Sequence, residues 1–270
     1  MSRATAPART VPPGRPESLF GLTPIRIAPD GTVTGSMDVD AGCADPGGPE
    51  PVAPLSGAIG VLADSVLGYS LNNTSDGWFV TTDIALEFLA PRLAGTVHTH
   101  ARSAHADGTD GMARGEITDG SGTVLAYGTF RGRKTGCVPS AAEQSPPNVQ
   151  ARPGASPVGA LAKAMRPAPE GGATFLADPM FGNPLGNLHG GITVCLADLV
   201  ACRAMPIPSF TESIRVHFVR PVVSGSLLTL RPEVEHLGRT FGIVRVRGFD
   251  ERGKLCTSAT VVRSVMSGRM

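Results

Sequence analysis

The 270-residue chain predicts an α+β protein made of two copies of one unit, each an antiparallel sheet wrapped around a central apolar helix. Three observations carry this. Residues 57–66 read Gly-Ala-Ile-Gly-Val-Leu-Ala-Asp-Ser-Val and residues 191–200 read Gly-Ile-Thr-Val-Cys-Leu-Ala-Asp-Leu-Val, so Gly, Leu-Ala-Asp and Val coincide without a gap. Further on, Ile84-x-Leu86-x-Phe88-x-x-Pro91-x-x-x-Gly95 matches Ile214-x-Val216-x-Phe218-x-x-Pro221-x-x-x-Gly225 at identical spacing. Around these matches the order of elements is the same in both halves: strand, helix, then four strands with tight turns suited to antiparallel pairing. Such agreement points to an internal duplication. One sheet with one apolar helix leaves a face uncovered, so the halves should pack as a pseudo-dimer and join their sheets edge to edge.

Taken in order, residues 1–17 are rich in Ala, Arg and Pro and read as a disordered N-terminus. The first repeat spans 18–132. Leu19 to Ile27 is a short apolar approach, and Thr32 to Val39 alternates like a strand. A Pro/Gly-rich loop covers 40–54. Helix one runs from about Gly57 to Leu71, and strands follow at Phe79–Phe88, Gly95–Ala104, Asp110–Thr118 and Val124–Arg131. Residues 133–155 are a Pro/Ser/Ala-rich linker. The second repeat spans 156–266. Ser156-Pro157 is an N-cap and first-turn pair opening a short helix to about Met165. Ala173–Leu176 is a strand, Gly190–Met205 is helix two, and four strands run from Phe210, Gly225, Thr240 and Leu255.

Composition excludes several classes. The net charge of +1 and sparse aromatics give no footprint for nucleic acid. The apolar runs are too short, and too interrupted by Asp64, Asp198 and Arg203, to span a membrane. Five cysteines without CxxC spacing read as reduced and mostly buried, hence a cytoplasmic chain, and Arg3 and Arg9 precede no apolar signal core. His98, His100 and His105 read as an exposed strand rather than a metal cluster.

The chemistry concentrates at Asn183-Pro184-Leu185-Gly186-Asn187-Leu188-His189-Gly190-Gly191, where polar and glycine residues end abruptly and helix two begins. Free N–H groups at a helix start prefer negative charge, and glycine lets another group come close. A carbonyl becoming an oxyanion suits such a place. Asp198 on that helix, and Asp64 at the repeated position, are carboxylates among apolar neighbours and need a partner or a task.

These motifs resemble the hotdog fold, and the second half resembles the PaaI-type (phenylacetate-pathway) acyl-CoA thioesterases. In that family an Asn stands six residues before His-Gly-Gly, a helical carboxylate nine residues after the His, and a Ser or Thr ten residues before a strand-end Pro. Asn183, His189-Gly190-Gly191 and Asp198 fit, and so do Thr211 with Pro221 and Thr81 with Pro91. The resemblance implies a double hotdog of lipid metabolism that hydrolyses acyl-CoA without a metal or cofactor, coenzyme A being part of the substrate. It implies that the Gly190 amide meets the thioester carbonyl, that Asn183 places thioester or water, and that the carboxylate is base or nucleophile. It also implies a site shared across the pseudo-dimer interface, with Asn, His and Gly from one unit and carboxylate and hydroxyl from the other.

Applied to this chain, the result is asymmetric. Asn183, His189 and Gly190 face Asp64 and Thr81 as the complete catalytic set. Gly191, Gly57, Asp198 and Thr211 make up a lesser, binding set, because Leu55 and Ser56 stand where His189 and Gly190 stand and Pro49 falls near the Asn position. Arg239, in the Gly238-Arg239-Thr240 turn, is a candidate for a coenzyme A phosphate, set against a solvated hairpin arginine. Two alternatives stay open: a hotdog enoyl-CoA hydratase, tempting at Asp178 and Asn183-Pro184, and a non-catalytic acyl-CoA binder. Neither nucleic acid nor membrane is an expected partner, and the pattern leaves room for a homodimer of pseudo-dimers.

Overall fold

Two helices begin where the repeated motif stands. In the computed structural model, which describes residues 8–40, 43–45, 55–74, 77–90, 93–140, 143, 156–169, 171–205 and 207–266, they are α2 (Gly60–Asn72) and α4 (Gly190–Ala204). A 3-10 turn at Ser56–Ile59 leads into α2, so that helix starts three residues later than its sequence predicts. Nearly every residue of both helices is buried. Such all-round burial suits helices that are apolar on every face: each is covered by strands, and the two also pack on each other.

The remaining elements are β1 (Arg9–Val11), α1 (Arg15–Leu19), β2 (Ile25–Ile27), β3 (Val33–Val39), β4 (Trp78–Phe88), β5 (Gly95–Ala106), β6 (Asp110–Thr118) and β7 (Val124–Thr135) in the first half. The second half adds α3 (Pro157–Ala164), β8 (Met165–Pro167), β9 (Ala173–Leu176), β10 (Ser209–Phe218), β11 (Leu227–Leu237), β12 (Phe241–Phe249) and β13 (Leu255–Val265). All strands lie in one antiparallel sheet ordered β1-β2-β3-β5-β6-β7-β4-β10-β13-β12-β11-β9-β8.

The halves meet at β4 and β10. Ile84 pairs with Val216, Leu86 with Ile214, and Ala85 with Arg215. In the sequence repeat Ile84 corresponds to Ile214, so Ala85 corresponds to Arg215. The central pair Ala85–Arg215 therefore joins counterparts, and the pairs on either side exchange them, the signature of a two-fold contact. Arg215 and His217 on β10 reach Asp83 on β4 at 3.0 and 2.9 Å, adding an ion pair with Arg215 and a polar contact with His217 across the seam.

The N-terminal reading is corrected in part. Residues 1–7 lie outside the described residues, but β1 and α1 occupy part of the segment whose composition suggested disorder. Val11, Pro16 and Glu17 are buried, and β1 pairs with β2, so this segment closes the end of the first half. The linker reading is narrowed: Arg133–Thr135 complete β7, and 141–142 and 144–155 lie outside the described residues, as do Pro49 and Pro91.

Candidate active site

The helix starts cross closely. A Cβ at Gly191 would fall 2.4 Å from the Gly60 oxygen and the Val61 Cα, and one at Gly190 would fall 2.8 Å from both Asp64 carboxylate oxygens. Glycine is required here by approach rather than by dihedral angle. The approach lets the carboxylate of each helix reach the N-terminal amides of the other. The Gly191 N–H donates to Asp64 Oδ2 at 3.0 Å, and the Gly57 N–H donates to Asp198 Oδ2 at 2.7 Å. In the repeat alignment these two bonds are equivalent.

The two threonines complete equivalent triads. Thr81 Oγ1 donates to Asp64 Oδ1 at 2.9 Å, and Thr211 Oγ1 donates to Asp198 Oδ1 at 2.6 Å. Each lies at a break in strand register, between Thr81 and Asp83 on β4 and between Thr211 and Ser213 on β10. A bulge re-aims a side chain, and here it goes with a hydroxyl turned onto the helix.

Beyond the triads the halves diverge. Asp198 is fully buried, and Arg263 of β13 caps it, with Nη1 2.9 Å from Asp198 Oδ1 and 2.7 Å from Thr211 Oγ1. The other guanidinium nitrogens donate to Ser209 Oγ and to the Ser209 carbonyl. Arg263 pairs with Thr211 across the sheet, whereas Gly132 stands opposite Thr81. The second carboxylate is thus neutralised in a closed core, and the first has no such arginine.

Asp64 instead faces His189, the N-cap of α4, with Nδ1 3.2 Å from Asp64 Oδ2. The opposite ring nitrogen, Nε2, lies 3.3 Å from Glu17 Oε1 on α1 and 3.4 Å from Ser65 Oγ, and Ser65 also donates to Glu17 at 3.0 Å. Burial works against a charged ring, but Glu17 first and Asp64 next outweigh it and raise the His189 pKa to about 9. Glu17 itself is held below its ordinary value: burial opposes its charge, and His189 more than compensates. Nδ1 also lies 3.1 Å from the Gly191 nitrogen and accepts that N–H only in the neutral ring. The raised pKa favours the imidazolium, in which both ring nitrogens donate and the amide goes to Asp64 alone.

Asp64, Thr81, Asn183, His189 and Gly190 all line one cleft of about 610 Å³, together with Glu17, Tyr69, Trp78, Phe79 and Phe130. The structure thus brings the sequence-predicted catalytic set together. Asn183 Oδ1 accepts from the Leu185 and Asn187 amides, so its oxygen serves the loop and its amide nitrogen is what remains for a ligand. Gly191 sits behind Gly190 and binds Asp64. Gly57, Asp198 and Thr211 form the closed second cluster and do not line the cleft. Arg239 is exposed in the β11–β12 turn and does not line it either. Among the described residues no group of three His, Cys, Asp or Glu is set to hold a metal.

Comparison with known proteins gives the class of the chain. The sequence pattern of the thioesterase superfamily matches residues 185–257, and that of the acyl-CoA thioesterase C-terminal domain matches residues 40–129. The chain is a thioester hydrolase. The fold of the hydrolase is shared with an acyl-CoA thioesterase II, TesB2, from Mycobacterium marinum, at TM-score 0.64 and 13% identity over 94% of this chain and 99% of that one. A tesB protein of Mycobacterium avium subsp. paratuberculosis gives TM-score 0.59 and 11% identity over 87% and 93%. A hot dog fold protein from Alicyclobacillus acidocaldarius gives 0.55 and 12% over 94% and 99%. No curated protein sequence matches the hydrolase.

Two charged residues of these clusters, Arg263 and Glu17, escaped the sequence reading, as did the serines Ser65 and Ser209 beside them. Arg263 carried a legible signal, since it continues the inward face of Ala259 and Val261 on an alternating strand. Glu17 carried none, because it lies within a five-residue helix flanked by Pro-rich sequence.

Proposed function

We propose that this protein is a PaaI-like double hotdog that hydrolyses an acyl-CoA thioester to free acid and coenzyme A in the cleft between its halves. The observation carrying the reading is the contrast between the two equivalent carboxylates. Asp64 lines an open cleft beside a helix N-terminus, and Asp198 is sealed under Arg263.

A carboxylate offers roughly four acceptor positions, and Gly191, His189 and Thr81 occupy three of those on Asp64. The remaining position takes a water. Asp64 accepts its proton as the water oxygen attacks the thioester carbon. The negative charge on the carbonyl oxygen is met by the Gly190 amide in the first turn of α4, with the Asn183 amide nitrogen as a second donor. The C–S bond then breaks, and the leaving sulfur takes the proton from Asp64, so that coenzyme A departs as the thiol and Asp64 returns to its carboxylate. Fixed donors at the oxyanion each contribute on the order of 3 kcal/mol in related chemistry. The apolar wall of Tyr69, Trp78, Phe79 and Phe130 suits the acyl group.

The test is thiol release across an acyl-CoA panel from acetyl to palmitoyl, with aryl thioesters included. Crotonyl-CoA is followed separately at its enoyl absorbance. Thiol release for at least one acyl class supports the reading. Loss of enoyl absorbance without thiol release replaces it with the hydratase reading.

A further inference from the structure

We propose that Glu17, on the N-terminal helix α1, is a positioning residue of the hydrolytic site that acts through His189. The inference rests on the function proposed above and extends its site to a segment that precedes the first repeat's central helix by more than 40 residues of sequence.

The argument begins with the burial of a charged side chain. Glu17 is 7% exposed, and such a group is rarely buried without a partner. Its partners are the His189 ring at 3.3 Å and the Ser65 hydroxyl at 3.0 Å, and it lines the same cleft as Asp64. Phe20 and Leu22, just beyond α1, are buried in the core and anchor the same segment independently of Glu17.

The role follows from what His189 does in each charge state. A neutral ring with its proton on Nε2 presents Nδ1 as an acceptor, and the Gly191 N–H is within reach at 3.1 Å. That amide is then shared between the ring and Asp64, and the ring offers Asp64 no proton. The charged ring reverses both contacts: Nδ1–H donates to Asp64 Oδ2, and the Gly191 amide is left to Asp64. The groups facing the ring are Glu17 from α1, Asp64 and Ser65 from α2, and the Gly191 amide from its own helix. Tyr69 also faces Glu17, and its hydroxyl is held neutral by burial and by the Glu17 charge. Of these, Glu17 is the charge that takes no part in the proposed proton transfer. It therefore sets the ring state while leaving Asp64 to the reaction.

The experiment uses the full chain and two readouts. Glu17→Gln keeps the shape and a hydrogen bond but removes the charge, and Glu17→Asp keeps the charge. In Glu17→Gln the His189 ring, titrated by NMR, should shift down by at least 1.5 pH units. The descending limb of the pH profile of kcat should move to lower pH by the same amount. At pH 8 kcat should fall about fourfold or more with KM changed less than threefold, and at pH 6 most of kcat should return. Glu17→Asp should keep the limb near its wild-type position. An unmoved His189 titration overturns the proposal. So does a uniform loss of activity at every pH that follows the thermal melt, because that is a structural effect only. The ring titration is read without substrate, so a failure to find any hydrolysed acyl-CoA would count against the proposed function and leave the assignment of Glu17 separately decided.

Discussion

Asp198 and Arg263 form an ion pair in a core that excludes water, so removing one partner strands the other. Arg263→Met should destabilise the protein by about 3–5 kcal/mol, seen as a lowered denaturant midpoint. The paired change Asp198→Asn with Arg263→Met removes both charges and should recover most of that loss, since the Asn oxygen can still accept from Gly57 while its amide nitrogen donates to Thr211 Oγ1. At Gly191, alanine has nowhere to go against the Gly60 oxygen and Val61 Cα at 2.4 Å. Gly191→Ala should cost roughly 1–3 kcal/mol or more and should separate the helix starts enough to reduce activity. At this scale the sequence was informative wherever a residue recurred. Asp64 and Thr81 were legible because Asp198 and Thr211 repeat them, and His189-Gly190 because the two residues stand where the first repeat has Leu55-Ser56. Glu17 has no counterpart to compare with, and its partners are distant in sequence, so only three-dimensional packing reveals it.

Among elements, the contact that matters most is the meeting of α1, α2 and α4 around His189. Its folded pKa of about 9 stands above the ordinary 6.5. A raised value stabilises the fold fully below the unfolded pKa, and the benefit is lost as pH rises through the folded pKa. Glu17, held below its ordinary value, contributes above about pH 4.5 and loses its contribution as pH falls. The thermal midpoint should therefore be highest between about pH 5 and 6.5 and decline toward pH 9. His189→Gln should flatten that decline, and a slope unchanged in this variant would place the linked proton elsewhere. The central helices and nearly all long strands were legible from period and turn residues. The start of α2 was not, because the close approach of Gly57 and Gly60 to α4 favours a tighter 3-10 turn. β1 and β8, of three residues each, are too short to show a period and exist because they complete the sheet edges.

For the molecule as a whole, the β4–β10 seam and the crossing of α2 and α4 hold the halves together. A protease site inserted within residues 144–155 should, once cut, give two fragments that still elute as one species with activity retained. Separation on cutting would mean that the linker supplies the association. The duplication, read from spacing alone, anticipated the seam because the repeated strand carries the two-fold contact. It could not show that one site is sealed, since the sealing charge comes from the last strand of one half only. That asymmetry is the central claim, and one comparison tests it most directly: kcat for acyl-CoA hydrolysis in Asp64→Asn against the paired Asp198→Asn, Arg263→Met variant, both confirmed folded. Asp64→Asn should lose two or more decades, and the paired variant should stay within about threefold of wild type. An active Asp64→Asn beside a dead paired variant would place the chemistry at the other carboxylate and contradict the account.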